Sequence, residues 1–203
     1  MIGLILKDIM NLKKQAKIYI LLLAFYGFLA YSNKEMSMVT VMICLLNVML
    51  SVTALAYDEK ANWEKYALSM PITRKDLIMS KYCLGLLGLG FGVLVSIAFS
   101  LIIPGVNTKV NNLMILYASL AGLGALSILF PLLFKFGVEK GRLMMMLMFF
   151  LPTVGIVLFS KLNLPPPSIE TIEIIKIGIP IFVILLFVIS IIVSNIIYKK
   201  KEF

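Results

Sequence analysis

Most of the side chains that do chemistry are missing from this sequence, and those present are gathered in one place. Residues 57 to 76, YDEKANWEKYALSMPITRKD, carry the only tryptophan together with Asp58, Glu59, Lys60, Glu64, Lys65, Arg74, Lys75 and Asp76, and runs almost empty of charge flank them on both sides. Acids, bases and aromatics mixed so densely suit ion pairing and aromatic seating against a second surface. They include no nucleophile with its base. Histidine is absent from all 203 residues, which removes the commonest general base and the commonest metal ligand. It also removes any serine–histidine–acid set and any HExxH. No GxxxxGK[ST] occurs, and the glycine-rich GLLGLGFG lacks the lysine and lies in an apolar run, so the usual nucleotide cradle is not available. Cys44 and Cys83 form no CxxC and read as small buried side chains. The chain is therefore expected not to be an enzyme and to hold no cofactor or metal. Any energy it uses has to come from another polypeptide.

The elements that position the strip follow from composition. Hydrophobic residues make up 61% of the chain, charged residues 14%, and the mean hydropathy is +1.03, far from the roughly 25% charged residues of soluble domains. This predicts an all-α integral membrane protein, a single transmembrane domain over residues 1–203. Six apolar stretches, near 16–32, 36–56, 78–104, 111–134, 142–160 and 175–198, approach the ~20 helical residues that a hydrocarbon layer requires. Six crossings leave both termini on one side. All basic residues except Lys34, Lys109, Lys161 and Lys176 fall on or beside that side, so the positive-inside rule places both termini and the 57–76 strip in the cytoplasm of a multi-pass cell-membrane protein. The net charge of +9 is then explained by topology and anionic headgroups, with no nucleic acid partner.

Finer features fill in this frame. Residues 1–15 place Ile2, Ile5, Ile9 and Leu12 on one helical face and Lys7, Asp8, Asn11, Lys14 and Gln15 opposite, which reads as a helix lying in the membrane interface. Within the strip a helix from Asp58 to Met70 sets Trp63, Tyr66, Ala67 and Met70 on one face and Asp58, Asn62, Lys65 and Ser69 on the other. After Pro71, TRKD then supplies an N-cap threonine with an acid three residues on. In the third span Gly85, Gly88, Gly92 and Ser96 share a stripe, as do Ala118, Ala121, Gly122 and Ala125 in the fourth, a spacing that lets membrane helices approach closely, within the chain or between subunits. Pro152 and Gly155, and again Gly178 and Pro180, predict kinked or broken fifth and sixth spans, and residues 161–175 read as an extracellular loop with a short helix after Ser168. The span cores hold no Asp, Glu, Lys or Arg; their polar residues include Asn47, Ser51, Thr53, Ser96 and Ser100. That speaks against an ion-coupled carrier and for an amphipathic peptide or lipid-like cargo.

YDEKANWEKYALSMPITRKDLIMSKY, preceded by LILKDIMNLKKQ in a six-span chain, resembles the membrane subunit of an ABC-2 type ABC transporter. Within that family it is similar to the short permeases of Firmicutes of the phenol-soluble-modulin exporter type. The resemblance covers the topology of the whole chain, with the specific motif confined to residues 57–82. It implies two permease chains, identical or sister, bound to two ATPase subunits that carry ATP and Mg. It also implies a coupling helix between spans two and three, in which Asp58, Glu59, Trp63, Glu64 and Tyr66 dock on the ATPase: Trp63 and Tyr66 for rigid seating, the acids for charge contacts. From another class, a non-transporting membrane immunity or sensor module that binds a peptide or toxin in the bilayer also fits the composition and needs no ATPase.

Overall fold

The computed structural model describes residues 2–33, 36–103, 108–141, 143, 146, 147, 150 and 169–200. Their regular elements are helices: α1 (Ile2–Leu12), a 3-10 turn (Lys13–Gln15), α2 (Ala16–Asn33), α3 (Ser37–Lys60), α4 (Trp63–Leu68), α5 (Arg74–Ile102), α6 (Thr108–Phe136) and α7 (Ile169–Lys199). Among the described residues five helical stretches are long and apolar enough to cross a membrane. They match the expected spans at 16–32, 36–56, 78–104, 111–134 and 175–198; most of the expected 142–160 span and the loop at 161–168 lie outside the described residues.

The spans pack around α3, which runs against α5, α6 and α2, while α7 lies against α6 and α5. One apolar cluster joins Val48, Val52 and Leu55 of α3 with Tyr82 and Leu89 of α5, Leu126, Leu129 and Phe130 of α6 and Tyr198 of α7, and reaches out to Leu4 of α1 and Ala67 of α4. A second joins Ala30 of α2 to Val39 and Ile43 of α3 and Ile103 beyond α5.

Because lipid tails are as apolar as the helices, close approach has to come from small residues. A Cβ added to Gly92 would lie 2.5 Å from Asn47 Nδ2, one at Gly122 would lie 2.7 Å from Leu89 Cδ2, and one at Gly85 would lie 3.0 Å from Leu126 Cδ1. Gly88 has ordinary clearance, 3.6 Å to Asn47 Oδ1, and Ala118 is buried beside a crevice between α3 and α6 that Cys44, Val48 and Gly122 also line. The small-residue stripes thus pack helices of this one chain together. Asn47 Nδ2 and the hydroxyls of Ser51 and Thr53 donate to the carbonyls four residues back, Ile43, Asn47 and Met49; the Thr53 side chain also hydrogen-bonds Tyr19 of α2.

Two expectations are corrected. The short helix expected after Ser168 and the last span are continuous: α7 runs from Ile169 through Pro180 without a break. Proline removes one N–H from the ladder but a membrane helix tolerates it when neighbours re-satisfy the backbone. The strip is not one helix from Asp58 to Met70 either. α3 continues through Asp58 to Lys60, Asn62 adopts the left-handed conformation (φ 48°), and only then does α4 begin. Asparagine is among the few non-glycine residues that enter this region readily, which is why the break falls there.

Candidate functional site: the welded loop end

The strip occupies the end of the bundle where α3 leaves and α5 enters. Its exit is capped as its sequence foretells: Thr73 Oγ1 accepts from the Asp76 backbone N–H and the Asp76 carboxylate accepts from the Thr73 N–H, a capping box that starts α5.

The decisive feature is a closed ring of charge. Lys7 Nζ lies 2.5 Å from Asp58 Oδ1 and 3.1 Å from Asp8 Oδ1, while Lys81 Nζ lies 2.5 Å from Asp58 Oδ2 and 2.6 Å from Asp8 Oδ2. Each cation bridges both acids, so the quartet is neutral and ties α1 to α3 and α5. Asp8 is 1% exposed, and Asp58 and Lys81 are also buried. Burying charge is costly unless every member is paired, as here. The Lys7 ammonium also sits 4.4 Å from the centre of the Trp63 ring, a cation–π contact that reaches α4.

Three further ties converge on the same end. Glu59 accepts the Val138 backbone N–H at 2.6 Å beside Gly137, whose φ of 80° suits glycine; the carboxylate sits at the start of the turn that follows α6. Arg74 donates to the carbonyls of Tyr198 and Lys199 (3.2 and 2.8 Å), satisfying the open end of α7. The Tyr198 hydroxyl hydrogen-bonds the Glu64 side chain. Next to Lys81 on α5, the Tyr82 hydroxyl pairs with the Ser190 and Ser194 hydroxyls at 2.6 and 2.8 Å, fastening α5 to α7.

The structure therefore divides the five residues expected on the docking face. Asp58 is turned inward onto two lysines, Glu64 onto Tyr198, and Glu59, though exposed, is held by Val138. Trp63 is half-buried against the main cluster, with Ala67 beside it at 0% exposure. Tyr66 alone of the five points away, 63% exposed, near Met70 at 48%. A cleft of about 310 Å³ opens beside α4 between Gly3, Lys7, Trp63 and Ile72.

The interfacial reading of α1 missed its partners. Lys7 and Asp8 face the bundle together with Leu4, while Ile2, Leu6, Ile9 and Met10 are exposed. The sequence did hold a signal: Lys81 is the one charge between residues 77 and 108, and Asp8 the one acid before Glu35. A lone lysine in an apolar run has to find an acid.

A family model described as ABC-2 family transporter protein matches residues 3–199, nearly the whole chain. The chain belongs to the ABC-2 transporter family. It is thus the permease component of an ABC transporter, the membrane part that works with an ATPase partner. No curated protein and no solved structure matches it. In the permease the loop end brings together the exposed Tyr66 of α4 and a largely buried, ion-paired charge cluster.

Proposed function

We propose that this permease is the membrane half of an exporter, and that α4 is its coupling element, gripped at the cytoplasmic end by a separate ATPase. Nucleotide-driven closure of two such ATPases would push on α4 and tilt two permease chains between inward-open and outward-open states. A push is useful only if α4 cannot slide on the bundle, because a ligand moves an equilibrium only through contacts that differ between its states. The observation that carries the reading is the firm seating of the loop: α4 rests Trp63 and Ala67 on the core, and the helix ends on either side are bound through Asp58 of α3 to α1 and α5 and through Arg74 of α5 to α7. The cargo is read as an amphipathic peptide or lipid-like molecule, in keeping with the phenol-soluble-modulin exporter resemblance and the absence of ionisable residues from the span cores.

Ala67→Asp tests this. A charge placed at a fully buried contact unseats α4 while leaving Tyr66 and its neighbours unchanged in type. In the complex formed with the ATPase that co-purifies from native membranes, cargo-stimulated hydrolysis is expected to fall at least about tenfold while basal hydrolysis persists. Stimulation at the wild-type level would remove α4 from the force path.

A further inference from the structure

We infer that the groove receiving α4 is acidic around a single apolar socket; this rests on the docking reading above and specifies the partner's chemistry. The sequence of the strip suggests the reverse, acids reaching for basic residues on a partner. Folding changes the sign. Asp58 is closed into the quartet, Glu64 is bonded to Tyr198, Glu59 accepts the Val138 N–H, and Asp76 belongs to the Thr73 capping box. Every acid of the strip has a protein partner.

The lysines do the opposite. Lys60, Lys65 and Lys75 are exposed, and so are Lys135 in the last turn of α6 and Lys140 just beyond it, with Glu59 and Glu139 the exposed acids among them. Tyr66, next to Lys65 on α4, and Met70, just beyond the helix, are large side chains left uncovered on the same loop.

The direction in which they point selects the partner. α4 packs Ala67 and Trp63 on a cluster built from Leu4 of α1, Val52 and Leu55 of α3 and Leu77 of α5, the ends of the spans themselves. Its opposite face, with Asn62, Lys65, Tyr66 and Ser69 exposed, looks away from those ends and so away from the bilayer. A net-basic loop end that carries one exposed tyrosine, projected outward, fits a soluble protein groove with a carboxylate rim and an aromatic-sized pocket. Charge complementarity of this kind sets encounter rate and specificity more than total affinity.

The test uses the full chain in native-composition membranes. A photo-crosslinking phenylalanine analogue at Tyr66 is combined with a charge-reversal set, Lys60→Glu, Lys65→Glu and Lys75→Glu, and a charge-keeping set with arginine at the same positions. The crosslink is expected on a Walker-motif ATPase, next to aspartates or glutamates. Reversal should weaken association with that ATPase about tenfold to a hundredfold at low salt, the arginine set should not, and the difference should vanish near 1 M salt, where screening acts over about 3 Å. A crosslink to the ATPase with no effect of reversal overturns the acidic groove and leaves the docking reading standing. A crosslink confined to lipid, or reversal that lowers only the binding of vesicles rich in phosphatidylglycerol, overturns both.

Discussion

Asp58→Asn is the sharpest probe of the loop end. The substitution is nearly isosteric and removes one negative charge from a neutral ring, leaving Lys7 and Lys81 to share Asp8. Two contacts of 2.5 Å lose their ionic character, and the side chains involved are 23%, 6% and 9% exposed for Lys7, Lys81 and Asp58. Uncompensated buried charge of this kind costs about 3–5 kcal/mol. For a chain of this size each kcal/mol lowers the melting temperature by about 2–4 °C, which gives an expected loss of about 6–20 °C. Adding Lys81→Met restores neutrality with an apolar side chain of similar length, and the double variant is expected to lie within about 2 kcal/mol of the parent, since replacing a buried pair by packed apolar groups is often close to neutral. The assay is thermal unfolding of detergent-purified protein followed by tryptophan emission. Trp63 is the only tryptophan and lies 4.4 Å from Lys7 Nζ, so the signal reports on the ring itself. A loss below about 3 °C for the single variant, or a double variant no better than it, would refute the claim that the four charges act as one closed unit.

Other expected outcomes are quickly stated. Gly92→Ala should destabilise by about 1–3 kcal/mol through overpacking, because its Cβ meets an Asn47 amide already bonded to Ile43. Gly88→Ala, whose Cβ would sit at ordinary contact distance from Asn47, should be neutral or slightly stabilising, as alanine is the better helix former; equal melting temperatures for the two would show that the α3–α5 approach is looser than described. Tyr82→Phe removes the hydroxyl shared with Ser190 and Ser194 and should cost about 0.6–1.7 kcal/mol, the range for hydrogen bonds between membrane helices, with faster amide exchange in α7 as the check. Thr73→Ala opens the capping box and should cost about 1 kcal/mol, read as loss of exchange protection confined to the first turn of α5.

Composition and periodicity are enough to specify the class of this protein and much of its layout. Periodicity and length located α1, α3, α5, α6 and the membrane part of α7, because a span has to be about 20 apolar residues long whatever it packs against. The N-cap at Thr73 was legible for the same reason: a capping box is a local bond between residues three apart. The small-residue stripes were readable as close-packing surfaces, though whether they joined helices or subunits was not.

Tertiary structure decided which charges are available. Asp8, Asp58 and Lys81 lie in three different helices, and helical periodicity alone put Asp8 and Lys7 on the wrong side of α1. A wheel ranks residues by polarity and cannot know that two acids and two bases will meet and cancel. The same encounter, with Val138 and Tyr198 taking Glu59 and Glu64, ties up the acids of the strip and leaves Lys60, Lys65 and Lys75 exposed on the loop that carries Tyr66. The sign of an interface is set by whichever charges folding leaves unpaired, and pairing between distant residues is a property of the packed chain.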